Sequence, residues 1–142
     1  MTIDRHVEAI WCDDIRQEIG GKFSLMGVYN DKLIVGKFPA SLQKLCLVIR
    51  IITTARRPFR SIKITIKKDD GIFADFSLPE EEIKKFTSSA MDNNKENGEA
   101  LHMLISQAVF TPVKLEGPCI FRIRVETEDD ELLGQGLIVS AE

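Results

Sequence analysis

Ser61-Ile62-Lys63-Ile64-Thr65-Ile66-Lys67 alternates between apolar and polar residues with a period of two. Successive strand side chains point to opposite faces, so this pattern is a strand with one buried and one wet face. Cys119-Ile120-Phe121-Arg122-Ile123-Arg124-Val125 repeats it, with Cys119, Phe121, Ile123 and Val125 on one parity. Antiparallel sheets open to water on one side produce such alternation. Working outward, Leu45 to Thr53 is apolar at both parities except at Arg50, which predicts a central strand covered on both sides or one that crosses the core. Val7, Ala9 and Trp11 share a parity and predict a first strand over His6 to Cys12. Phe23 to Tyr29, Lys32 to Val35, Ile72 to Phe76, Leu101 to Lys114 (stopping at Pro112) and Gly136 to Ser140 complete the set.

The punctuation between these runs is polar. Asn30-Asp31 suits a tight primed hairpin turn, because both residues tolerate positive φ. Lys68-Asp69-Asp70-Gly71 and Glu128-Asp129-Asp130-Glu131 read as two further hairpin turns. One short helix is expected after Ser77-Leu78-Pro79-Glu80, read as a capping box with Ser77 as the cap, followed by a stripe of Ile83 and Phe86. Thr87 to Glu99 is polar and reads as a mobile loop. Eight or nine short strands separated by turns predict an all-β, antiparallel, immunoglobulin-like β-sandwich with one inserted helix.

The chain has 142 residues, 44% of them hydrophobic and 29% charged. That length and composition predict a single domain over residues 1–142 and argue against disorder as the main state. The net charge is −3, which speaks against a protein built to contact phosphates or nucleic acid. Residues 1–70 carry 13 Lys and Arg against 8 Asp and Glu, or +5; residues 71–142 carry 6 against 14, or −8. Such asymmetry can mark a basic binding face, but it is more often two halves whose charges mingle on one folded surface. The N-terminus has no signal-like apolar segment, and no apolar run approaches membrane-spanning length. Cys12, Cys46 and Cys119 form no CxxC pair, and two of them sit in apolar runs. Free core thiols fit a reducing cytosol, so a soluble, cytoplasmic protein is expected.

Motifs for chemistry are sparse. His6 and His102 stand alone, without metal-ligand spacing around either, and read as surface or rim histidines. There is no GxSxG elbow and no Gly-rich loop leading into a helix with Lys-Ser or Lys-Thr. Gly20-Gly21 and Gly134-Gln135-Gly136 read as bends or bulges in strands. No catalytic group, metal site or cofactor is expected. Two segments remain as binding candidates. Asp13-Asp14-Ile15-Arg16-Gln17-Glu18, read as a loop crossing from the first strand to the second, places Asp13, Asp14 and Arg16 at a sandwich end. Its carboxylates suit pinning of that crossover better than calcium, whose loop spacing is missing. Arg56-Arg57-Pro58-Phe59-Arg60 is a basic turn with an aromatic, followed by Lys63, Lys67 and Lys68. It could contact nucleic acid or an acidic partner, but a single aromatic is a thin basis for stacking, and a solvated strand face turned to the acidic half is the better reading. Glu126 to Glu131 reads as a solvated hairpin tip.

Cys12-Asp13-Asp14-Ile15-Arg16-Gln17-Glu18, Gly21-Lys22-Phe23-Ser24-Leu25-Met26-Gly27-Val28-Tyr29, Phe38-Pro39-Ala40-Ser41-Leu42, Arg57-Pro58-Phe59 and Gly117-Pro118-Cys119-Ile120-Phe121-Arg122-Ile123-Arg124-Val125 together resemble an uncharacterised family of small proteins from bacteria and their prophages. The resemblance implies a β-sandwich in a bacterial or phage cytoplasm and carries no activity. Cys12 stands where a small residue such as Ala is expected, which argues against a special role for that thiol. The expected function is non-catalytic binding or scaffolding of another protein, with an edge strand available for a homodimer. The alternatives are a small-ligand or nucleotide binder using Arg16, Arg56, Arg57 and Arg60, such as a phage counter-defence factor, and an enzyme with a pocket at Asp13, Asp14 and a histidine.

Overall fold

The computed structural model describes residues 5–85 and 101–142. The alternating runs become β1 (His6–Gln17), β2 (Phe23–Tyr29), β3 (Lys32–Val35), β4 (Ala40–Leu42), β5 (Leu45–Thr54), β6 (Ile62–Lys68), β7 (Gly71–Ser77), β8 (Leu101–Phe110), β9 (Val113–Leu115), β10 (Cys119–Thr127) and β11 (Glu131–Ala141). They form a four-stranded sheet, β2-β1-β5-β8, a five-stranded sheet, β3-β11-β10-β6-β7, and a small pair, β4-β9. The described residues hold eleven strands, against the expected eight or nine. The additions are β4 and β9: the run Leu101 to Lys114 breaks at the Thr111-Pro112 bond, and its tail pairs with Ala40–Leu42. All pairings are antiparallel except β3 with β11.

The two large sheets pack face to face. Leu45, Leu47, Ile49 and Ile51 of β5 meet Ile62, Ile64 and Ile66 of β6 and Phe121, Ile123 and Val125 of β10 in one buried cluster. Trp11 from the first sheet stacks at 5.5 Å on Phe121 from the second, and its indole N–H donates to the Gln135 carbonyl at 3.1 Å. Phe73 bridges the layers edge-on, 4.9 Å from Phe110 and 5.1 Å from Phe121. The alternation in β6 and β10 is therefore an inward apolar face against an outward polar one.

Two connections exchange the roles expected of them. Asn30-Asp31 is no hairpin turn: β2 lies in the first sheet, and β3 crosses to the second, where it runs parallel to β11. Burial of Leu33 rewards the crossing, and the Asp31 carbonyl accepts from Ile138 N–H at 2.9 Å. The expected crossover at Asp13 to Lys22 is instead strand and hairpin. β1 continues to Gln17, pairs with β2 in unbroken register, and turns at Gly20 and Gly21, whose φ angles of +92° and +73° favour glycine.

The far half of β1 cannot continue straight. Ile10 pairs with Val48, which pairs with Gln107, so Ile10 and Gln107 lie roughly 10 Å apart across β5. A straight strand from Ile10 to Gln17 would advance roughly 23 Å further. Yet the Gln17 side chain donates to Gln107 Oε1 at 2.7 Å. The β1–β2 hairpin must therefore bend back over the outer face of its own sheet. That bend explains why Cys12, Cys46 and Val48 are fully buried although they point away from the inter-sheet core. Gly27, opposite Asp13 in the register, sits at φ +67° within the bent region. The expectation that β5 is covered on both faces holds, with this arm as part of the second cover.

Residues 80–85 form helix α1, with Ile83 buried. Its first turn is closed on the Pro79 carbonyl, which accepts from Glu82 and Ile83 N–H. Ser77 is not the cap: it still pairs with Lys63 as the last residue of β7. Phe86 and the expected loop at Thr87 to Glu99 lie outside the described residues. Hairpins at Lys68 to Gly71 and Glu128 to Glu131 form as expected, although the closing strand is longer than Gly136 to Ser140. Gly134-Gln135-Gly136 is the expected bulge, falling where the β10–β11 register shifts between Phe121 and Ile123.

Candidate functional site

The basic turn follows the end of β5 and folds around a residue that sequence reading passed over. Arg5 is buried, and its guanidinium lies 4.6 Å from the centre of the Phe59 ring. It donates to the Arg57 and Pro58 carbonyls at 3.0 Å each, to Thr53 Oγ1 at 3.2 Å and to Thr127 Oγ1 at 3.1 Å. It pairs directly with Glu128, and Asp130 Oδ2 stands 3.4 Å away. Glu128 in turn accepts from the Arg60 backbone N–H. Burial alone would raise the Glu128 pKa. The Arg5 guanidinium and the Arg60 and Ser61 N–H groups outweigh it and hold the carboxyl below its ordinary value of 4.5.

This network changes the reading of the turn. Phe59 is buried under Arg5 and offers no stacking surface. Arg57 pairs with Asp130 at 2.9 Å and Asp129 at 3.6 Å. Of the turn's own arginines, Arg56 and Arg60 are exposed and without an ion pair among the described residues. The tip at Glu126 to Glu131 is a clamp on the turn rather than a merely solvated loop. The basic first half of the chain and the acidic second half meet here, as mingled charges require.

Asp13, Asp14 and Arg16 lie elsewhere, on β1 rather than on a loop. Asp13 accepts a short hydrogen bond from the Tyr29 hydroxyl, and burial together with that carboxylate pushes the phenol well above its usual pKa. Asp14 pairs with Lys44 at 3.0 Å, which holds its carboxyl below the usual range. Arg16 pairs with Glu18 at 3.2 Å. Below them, Cys12 and Cys46 are direct cross-strand partners. Their thiols point to the Asp14 and Asp13 carbonyls at 3.5 and 3.6 Å. Burial, then the neighbouring Cys46, pushes Cys12 to about 11; burial also raises Cys46. Such thiols stay protonated and pack as apolar groups. Gln17, next to Arg16, is level with Val48, six residues or roughly 20 Å along β5 from Thr54. The fold does not bring Arg16 together with Arg56, Arg57 and Arg60.

The histidines are also separate. His6 is exposed, with Nε2 at 3.8 Å from Glu8 Oε2; His102 is buried on β8 opposite Thr53, not on a rim. Among the described residues, no three His, Cys, Asp or Glu side chains gather as a metal site. No helix among them is long and apolar enough to cross a membrane.

A different surface emerges on the first sheet. β8 is its edge strand, and its outward residues Leu101, Met103, Ile105 and Val109 are 40–55% exposed. Leu104, Ala108 and Phe110 pack on the core from the other face. Beside this stripe, on β5, Arg50 has its Nε buried without a hydrogen-bond partner among the described residues, and Ile105 and Glu8 are its register neighbours.

Residues 8–140 match the model of a family of unknown function, DUF6941. The chain belongs to the DUF6941 family. No curated protein matches it. The resemblance to an uncharacterised family is thereby borne out over nearly the whole chain. Membership in DUF6941 transfers no activity, so function rests on surface chemistry. The β8 stripe left a trace in the sequence: Leu101 to Phe110 contains no Asp, Glu, Lys or Arg. Arg5 left none, because a lone arginine before the first strand looks like any surface cation.

Proposed function

We propose that this DUF6941 protein is a non-catalytic protein-binding module that works through the outer face of β8 and the neighbouring Arg50. The exposed stripe Leu101, Met103, Ile105 and Val109 carries this reading. Scattered exposed apolar residues are ordinary, whereas a stripe on a sheet edge, here Leu101, Met103 and Ile105 with Val109 beyond Gln107, is typical of a docking surface. Arg50 adds a half-buried cation beside the stripe, without an ion pair among the described residues. The basic turn is a poorer candidate, since Arg57 and Phe59 are occupied within the fold.

The strand order supports the immunoglobulin-like class. β5 and β6 follow each other in sequence yet lie in opposite sheets, while β10–β11 and β6–β7 are hairpins within one sheet. A cytoplasmic location in a bacterium or prophage accords with three buried free cysteines. The test is capture from an extract of the native host by tagged wild type, Met103→Asp and Arg57→Glu. Proteins retained by wild type and Arg57→Glu but lost from Met103→Asp support the face. Equal retention by all three, or loss only from Arg57→Glu, contradicts it.

A further inference from the structure

The edges of the two large sheets are not alike. β3 has four residues and begins with Lys32. β7 carries Asp75 and faces a register shift between Ile66 and Lys67. β2 contains Gly27 at positive φ and belongs to the bent arm. Short length, charge and irregularity are the usual protections of a sheet edge against pairing with another chain. β8 has none of them. It is ten residues long, keeps an unbroken register with β5 from Leu101 to Phe110, and holds no Asp, Glu, Lys or Arg. Its second side has no strand partner among the described residues.

We propose that β8 pairs antiparallel with β8 of a second copy about a two-fold axis, joining two four-stranded sheets into one of eight strands. This names a partner for the surface proposed above and rests on that reading. The occupant follows from self-complementarity. A two-fold pairing sets each strand against its own sequence, so any charged residue at the axis meets a like charge. β8 brings no such clash. Cross-strand partners share a face, so the odd-numbered outward residues must pair with one another. An axis at Ile105 meets this condition: Ile105 faces Ile105, Leu101 faces Val109, and Met103 faces Gln107. The paired stripes then form one face that is apolar at Leu101, Met103, Ile105 and Val109 of each copy and polar at Gln107, flanked on both sides by Arg50.

Sedimentation of the whole chain between micromolar and near-millimolar concentration tests the pairing. We expect wild type to sediment at twice the chain mass of 16.0 kDa. Ile105→Lys should sediment at the chain mass with an unchanged circular dichroism spectrum, since Ile105 is exposed in the single chain. Ile105→Cys treated with diamide should give a disulfide-linked dimer, while Asp75→Cys on the opposite sheet should not. Cys12, Cys46 and Cys119 are buried and leave little background. A wild type that stays monomeric throughout, or a dimer that survives Ile105→Lys, overturns the proposal. A monomeric wild type that still loses captured proteins on Met103→Asp overturns self-pairing alone. A dimer that captures nothing supports self-pairing and removes only the second partner.

Discussion

Arg5 shows how one side chain can organise a sandwich end. Its guanidinium holds six groups, from the ends of β5 and β10 and the turns that follow them, and burial makes each hydrogen bond count. Removing it leaves Glu128 partly buried without its counter-charge, and breaking a buried ion pair costs about 3–5 kcal/mol. We expect Arg5→Met to lower the denaturation midpoint by an amount of that order, measured in urea with far-ultraviolet dichroism. A loss below about 1 kcal/mol would mean that the network is not structural. Glu128 gives a pH test. Its folded pKa lies below the ordinary 4.5, so its stabilisation is present above that value and fades as pH falls through the folded value. The stability of wild type should therefore drop on acidification below about pH 4.5, and that part of the slope should vanish in Glu128→Gln. Nothing in the sequence marked Arg5, because its partners lie 48 to 125 positions away. The basic turn was legible as a cluster but not as an occupied one, for the same reason.

At the scale of elements, strand existence and parity could be read directly, and connections could not. Ile62 to Lys67 and Cys119 to Val125 bury the residues that their alternation assigns inward. The Asn30-Asp31 and Asp13-to-Lys22 connections exchanged roles because turn residues permit either a hairpin or a crossing. The decision comes from where Leu33 and Trp11 find a core. Two glycines separate backbone demands of different kinds. At Gly27, a Cβ would meet the Asp13 side chain, which can turn aside at the cost of its hydrogen bond from Tyr29, and positive φ adds about 1 kcal/mol. At Gly136, a Cβ would overlap the Phe121 carbonyl oxygen, which β10 holds in place. We expect Gly136→Ala to destabilise by about 2 kcal/mol or more, and Gly27→Ala by less. Equal costs in thermal melts would place the bulge and the bent arm under the same constraint, against this reading.

For the whole molecule, part of the charge imbalance between the halves is met inside the fold. Arg5 and Arg57 from the first half are matched by Glu128, Asp129 and Asp130 from the second. Arg56→Glu combined with Arg60→Glu should therefore leave folding and self-association within about 0.5 kcal/mol of wild type. A salt-dependent loss of dimer in that variant would return function to the basic turn. The β8 surface was hidden in the sequence because an outward apolar residue looks the same as an inward one until the register is known. Only the absence of charge over Leu101 to Phe110 hinted at it. Hydrogen exchange read on the backbone amides of β8 at increasing protein concentration is the most direct measurement. An unpaired edge exchanges readily, whereas a paired strand is protected. Protection of Leu101–Phe110 should rise with concentration in wild type, remain low in Ile105→Lys, and leave β7 unaffected. Exchange at β8 that is independent of concentration in both proteins would contradict the assignment of this edge as the working surface.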